Sequence, residues 1–322
     1  MNDNALSVES GELHGSRGRV WLMLAGTALG IGALVSQVPS LDQLWETFKD
    51  ATWWWIALAV VFTFGNRVGY ALALMGSVAA RLPFLRSVEA LLAAAFANLA
   101  LPGIGGTTVQ VRYLQRRGID LASAVAAGAV LANIANVVVQ GTLFVVALAV
   151  SAHTFDLGRI DIGDVISVLM LVVFVVGVAV AIVFAVRRIR EWILPPARRA
   201  IATVRTALRS PRQVVLLVAG NLCAAMMSAL CLFACVHAYG GTVDYWPLLV
   251  ANIVVGTVAS LIPVPGGNVL VASVGLAAAL VASGVPETVA VAAVITQQLI
   301  ANYLPALPGW LATNDMLRHG YL

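Results

Sequence analysis

Arg67 lies inside an apolar run from Trp53 to Gly76 that carries no other charge. An ionisable side chain within a membrane segment is by default a functional candidate. Its planar guanidinium fork suits a lipid phosphate. The competing reading has the side chain snorkel to the interface at the near end of the helix. Arg112 follows the stretch Leu101-Pro-Gly-Ile-Gly-Gly106 by about two turns and either meets a head group or marks the membrane edge. A near copy of that stretch is Ile262-Pro-Val-Pro-Gly-Gly267. Gly105, Gly106, Gly266 and Gly267, with Pro265 beside them, permit close backbone approach and positive φ. Half-helix N-termini after them would offer free N–H groups to an anion, and tight helix packing explains the glycines equally well. Asn98, Asn133, Asn136, Asn252, Gln297, Gln298 and Asn302 are polar groups in apolar helices. They either line a polar path or bond between helices for about 0.6 kcal/mol each. The chemistry in reach is recognition of an anionic group.

No enzyme signature accompanies these residues. Gly103-x-Gly105-Gly106 lacks the Lys-Ser/Thr of a phosphate-binding loop. No Ser/His/Asp or paired-carboxylate arrangement falls in a plausible pocket. Cys223, Cys231 and Cys235 share one apolar run and read as packing groups. The four histidines are scattered, so no metal or cofactor is expected.

The elements that must position these side chains are membrane helices. The chain has 322 residues, 61% hydrophobic and 11% charged, with mean hydropathy +0.93. These values define an all-α polytopic membrane protein and exclude an ordinary soluble domain. The net charge of +4 is carried by arginines flanking apolar spans, which excludes nucleic-acid binding as the reading. Ser87–Leu101 is fifteen residues long, short of the roughly 20 that a crossing needs. Each Pro-Gly stretch therefore reads as the tip of a re-entrant, broken-helix hairpin, tolerated at membrane depth only when buried in protein or facing a wet cavity. Two short full spans remain an alternative for the second.

The predicted order is a cytoplasmic tail 1–19 and a first transmembrane helix 20–38 with Gly26-x-x-x-Gly30. Repeat 1 follows over 52–150 as span, hairpin around 101–106, and span. Residues 151–212 form an outer loop, a connecting span and an arginine-rich loop. Repeat 2 occupies 213–312, with its hairpin around 263–267, and the tail 313–322 ends the chain. Between Arg187 and Arg212 stand eight arginines and one acid, so that loop and both termini are expected in the cytoplasm. The loop reads as a topology anchor or an anionic-lipid contact. Trp53, Trp54 and Trp55 suit the opposite interface. Gly118-Ile-Asp120 matches Gly284-Val-Pro-Glu287, and Asn136 and Asn302 follow at equal distances. Entering from opposite leaflets, the units would form an inverted-topology repeat, the architecture of alternating access around a midplane site.

With Leu101-Pro-Gly-x-Gly-Gly, Arg112-Tyr-Leu-Gln-Arg-Arg-Gly118, Pro263-x-Pro-Gly-Gly267 and Tyr303-Leu-Pro-x-Leu-Pro-Gly-Trp310, the sequence resembles the flippase-like integral membrane family. This is the transmembrane region of lysylphosphatidylglycerol synthases (multiple peptide resistance factor) and its stand-alone relatives, especially the actinobacterial type. The resemblance covers about 50–312. It implies movement of a lipid, or a lipid-linked head group, between leaflets, and not lipid lysylation, since the aminoacyl-transferase domain is missing. Relatives commonly continue the second hairpin as Pro-Gly-Gly-x-Gly-x-x-Glu, where this chain has Asn268, Val269 and Ala272. They carry a Tyr-Arg pair where it has Gln297 and Gln298. Acid and base missing together suggest a lost ion pair, a change that can be nearly neutral for stability.

The function expected is a plasma-membrane flippase or translocase for an anionic or isoprenoid-linked lipid, without enzymatic activity. The alternative is a non-transporting partner that regulates an envelope-lipid enzyme, and a homodimer or a membrane-enzyme partner stays open.

Overall fold

The computed structural model of the protein describes residues 49–78, 80–100, 105–151, 209–260 and 267–321. The tail 1–19, the span 20–38, the span expected at 165–186 and the arginine loop up to residue 208 lie outside them. So do the hairpin tips 101–104 and 261–266, which include Pro265 and Gly266.

The described residues are predominantly helical and contain no strand. The first unit comprises α1 (Trp53–Gly76), α2 (Phe84–Ala100), α3 (Gly105–Arg116), α4 (Leu121–Val125), a π-helical turn (Ala126–Leu131) and α5 (Ala132–Ser151). The second comprises α6 (Pro211–Ala238), α7 (Tyr245–Ser260), α8 (Gly267–Ala282), α9 (Glu287–Gln298), a second π-helical turn (Leu299–Tyr303) and α10 (Ala306–Arg318). Four continuous helical stretches, 53–76, 121–148, 211–238 and 287–318, are long and apolar enough to cross a membrane. At 1.5 Å per residue α1 is about 36 Å long, whereas α2 is about 25 Å and α3 about 18 Å. Only the first exceeds the roughly 30 Å of a hydrocarbon core. Large apolar side chains such as Val61, Val137, Val138 and Val145 face outward at 61–69% exposure. In water that surface would be a liability, and against lipid it is the solvent-matched face.

The axis of the molecule is the antiparallel pair α1 and α6. Contacts run from Thr52 N–H on the Ala238 carbonyl at one end to Gly76 against Gln213 and Leu217 at the other. The pair touches backbone to backbone because glycines line the seam. A methyl added at Gly69 would stand 2.7 Å from the Ala224 nitrogen, and one at Gly220 would run into the backbone of Ala73. Small residues at such crossings give the close approach on which helix association in lipid depends.

The other elements hang on this axis in matching order. In each unit the first long helix packs on the first hairpin arm, and the two arms pack on each other. Each hairpin then packs on the last helix of the opposite unit, α2 against α10 and α7 against α5. The turn after each second arm has the same bonds. Gly118 (φ 81°) and Gly284 (φ 88°) take left-handed conformations. Ile119 N–H bonds the Leu114 carbonyl at 3.2 Å, and Val285 N–H bonds that of Leu280 at 3.1 Å. Glycine closes a helix there without the penalty a Cβ would bring. The Asp120 carboxylate then caps α4 by accepting the Ser123 N–H at 3.1 Å.

Aromatic groups cluster at the Trp53 end, where Trp55, Phe233, His237 and Tyr245 meet, and Trp53 and Trp54 stand exposed as an interfacial belt would require. At the other end, Arg86 of α2 bonds both Glu89 (2.7 Å) and Asp315 of α10 (2.6 Å) and lies over the Tyr321 ring, tying the first hairpin to the chain's last turn.

Candidate functional site

Thr63, Asn66, Arg67 and Tyr70 recur at i, i+3, i+4 and i+7, one face of α1. Because the α1/α6 seam is so close, this face opens directly onto Ser228 and Cys231 of α6. Gln297 and Gln298 of α9 and Ala301 and Asn302 of the second π turn close the third side. Together they line a cavity of about 250 Å³. Arg67 is nine residues from the end of α1, about 13 Å along the axis. Its guanidinium does not run toward that end: Nη2 donates to the Ala301 carbonyl at 2.9 Å, across the cavity. The side chain is thus directed across the cavity to the second π turn and not along α1 toward the near end.

The Ala301 carbonyl is available for a physical reason. Four residues on, where an α-helix would supply its N–H, stands Pro305, which has none. The π turn and the proline free a carbonyl at mid-helix, and Arg67 takes it. π turns inside helices recur at functional sites. Arg67 keeps Nε buried and without a partner, and the Gln297 Oε1 is in the same condition. Among the described residues no carboxylate pairs with Arg67. A buried guanidinium stays charged, and its unsatisfied donor calls for an acceptor, above all an oxyanion.

The remaining polar groups are partly committed to the walls. Asn66 Nδ2 donates to the Ala224 carbonyl (2.7 Å), Thr63 Oγ1 meets Cys231 Sγ (3.3 Å), and Asn302 Nδ2 donates to Gln298 Oε1 (2.6 Å). Asn252 Nδ2 donates to the Ser228 hydroxyl (3.3 Å) from behind the wall. Position 298, where the resemblance implies an arginine, carries glutamine, and the guanidinium beside it comes instead from Arg67 on the first helix.

The structure thus joins Arg67, Gln297, Gln298 and Asn302 and leaves other sequence candidates elsewhere. Arg112 is exposed on α3, away from the cavity. Asn98 is exposed and caps α3, its Oδ1 accepting the Gly106 N–H at 2.8 Å. Asn133 is exposed, and Asn136 accepts from Gln140 at 3.3 Å. Gly105 and Gly106 do not take positive φ; both are helical and serve close packing, since a Cβ on Gly105 would strike the Ala97 carbonyl. Gly267 begins α8. Sequence reasoning missed Thr63, Tyr70 and Ser228 and read Cys231 as packing alone; the four-residue face on α1 was the available signal. Among the described residues no group of three His, Cys, Asp or Glu is placed to hold a metal ion.

Long apolar helices around a polar, arginine-bearing cavity define an integral membrane protein. The chain belongs to the family described as lysylphosphatidylglycerol synthase TM region, which matches residues 21–309. No curated protein matches it. Membership associates the chain with membrane-lipid function.

Proposed function

We propose that the protein is a lipid translocase of the plasma membrane, moving an anionic or isoprenoid-linked lipid between leaflets without a chemical step. The head group passes the Arg67 cavity while its acyl or prenyl chains stay in lipid. The observation that carries this reading is the buried guanidinium at mid-helix, held by one backbone carbonyl and with its Nε unsatisfied. A charge at that depth costs several kcal/mol or more and persists where it has a task.

The opposed arrangement of the units supports the same reading. The antiparallel α1/α6 axis, the matching turns at Gly118 and Gly284, and the exchanged contacts of α2 with α10 and α7 with α5 support a reading as an inverted repeat. The short arms α2 and α3 suit a re-entrant hairpin. Such repeats support alternating access about a central site. Both termini are assigned to the cytoplasm, with the arginines of 187–212.

The test is a leaflet-scrambling assay in proteoliposomes with labelled anionic lipids and polyprenyl phosphates. Wild type moves at least one of them, and Arg67→Ala, still folded, does not. Absence of movement for every lipid tried would replace this reading with that of a membrane partner docking an envelope-lipid enzyme.

A further inference from the structure

A second cleft, lined by apolar and polar side chains in equal number, lies on the same α1/α6 seam. Met75, Arg81, Ser210, Arg212 and Gln213 are among the residues that line about 200 Å³ where α1 ends and α6 begins. Tyr70 and Met75, which line one cavity each, are about 7.5 Å apart along α1. Two guanidiniums border this small space and, among the described residues, no carboxylate does. Nearby Arg86 is held by Glu89 and Asp315, whereas Arg81 and Arg212 have no hydrogen-bonding or ionic partner among the described residues. Like charges sharing a cleft repel, and a shared anion turns that repulsion into attraction.

The walls are held in place. Gln213 Nε2 donates to the Val78 carbonyl at 2.8 Å, fixing the segment after α1 against α6. The Gln213 Oε1 is buried and unpartnered, and so needs an O–H or N–H donor. A phosphate in its singly protonated form, or one with a neighbouring hydroxyl, offers both: oxygens for the arginines and an O–H for the amide.

We propose that this cleft is a second oxyanion site, taking a phosphate group at the Arg81 end of the seam. Binding there stands on its own. Its place as the station before the Arg67 cavity rests on the translocase reading.

The experiment isolates the cleft by removing the other guanidinium. Purified full-length Arg67→Gln protein is titrated calorimetrically with dimyristoyl phosphatidic acid in detergent and, separately, with inorganic phosphate. The expected result is retained binding, weakened about tenfold or more when Arg81→Gln and Arg212→Gln are added. Arg81→Lys with Arg212→Lys keeps the charge but not the fork, and binds at an intermediate level. Thermal unfolding of each variant shows that the loss is local. Binding of the lipid alone identifies a head group as the ligand, and equal binding of inorganic phosphate identifies a free anion. Loss of all binding in Arg67→Gln, or affinity unchanged by the added Gln or Lys pairs, overturns the proposal. Failure of wild type to scramble lipid would remove the translocase reading and leave the binding result untouched.

Discussion

Gln297 separates stability from function more cleanly than any other side chain in the cavity. Its Oε1 is buried without a donor, a condition that costs about 1–3 kcal/mol. Gln297→Leu therefore raises the unfolding free energy by up to about that amount and, on the translocase reading, slows movement of the head group that would otherwise donate to Oε1. Denaturation in detergent and scrambling in liposomes check the two halves. Arg67→Lys tests the fork: one ammonium cannot both hold the Ala301 carbonyl and present a second, fixed donor. Transport falls about tenfold, the loss of one charge-assisted hydrogen bond, whereas Arg67→Ala leaves none. Arg67 was legible as a lone charge in an apolar run. Its acceptor was not, because a backbone carbonyl has no letter in a sequence. The trace it leaves is Pro305, which stood in view in Tyr303-Leu-Pro305 as part of a family motif.

At the scale of elements, the π turn and Pro305 form a device for freeing one carbonyl. Pro305→Ala restores the missing N–H, closes the helix and competes with Arg67 for Ala301. We expect a higher unfolding temperature together with scrambling slowed about tenfold, the reverse of what a damaged fold would show. The α1/α6 seam makes the opposite demand. A side chain at Gly69 meets backbone, which cannot move aside, so Gly69→Val destabilises by about 1–3 kcal/mol or more and separates the cavity walls. Denaturant unfolding of the purified protein measures it. The helices themselves were readable from hydropathy, and α1, α2, α6, α7 and α8 begin and end within a few residues of the apolar runs. The seam was not, because Gly65, Gly69, Gly76 and Gly220 are ordinary in membrane helices until two of them face each other. The one glycine pair that spacing singled out, Gly26 and Gly30, lies outside the described residues.

For the whole molecule, the exchange of hairpins makes each half incomplete. α2 is covered by α10, where a methyl on Gly309 would strike the Leu92 carbonyl, and α7 is covered by α5. A chain divided between residues 152 and 208 should yield two halves that are degraded when expressed alone and persist when expressed together. Thr63→Cys, opposite Cys231 across the 3.3 Å contact, reports reassembly by an oxidative cross-link between the halves. Accumulation of either half alone in folded form would contradict the exchanged packing. The weak internal match at Gly118 and Gly284 marked two turns that the structure closes with the same bonds. It could not foretell the packing of α2 on α10 or of α5 on α7, since partners about two hundred and about one hundred residues apart share no local pattern.

That exchange also sets a clock. The residues of α2 leave the ribosome about 200 residues before α10 exists, roughly 10–40 s at ordinary synthesis rates. During this interval the first hairpin sits in the bilayer with Arg86 lacking Asp315 and the groove around Leu92 unfilled. A newborn chain is therefore most exposed to membrane proteases before its last helix is made. Slowing translation late in the message should lower the yield of the protein more than slowing it early.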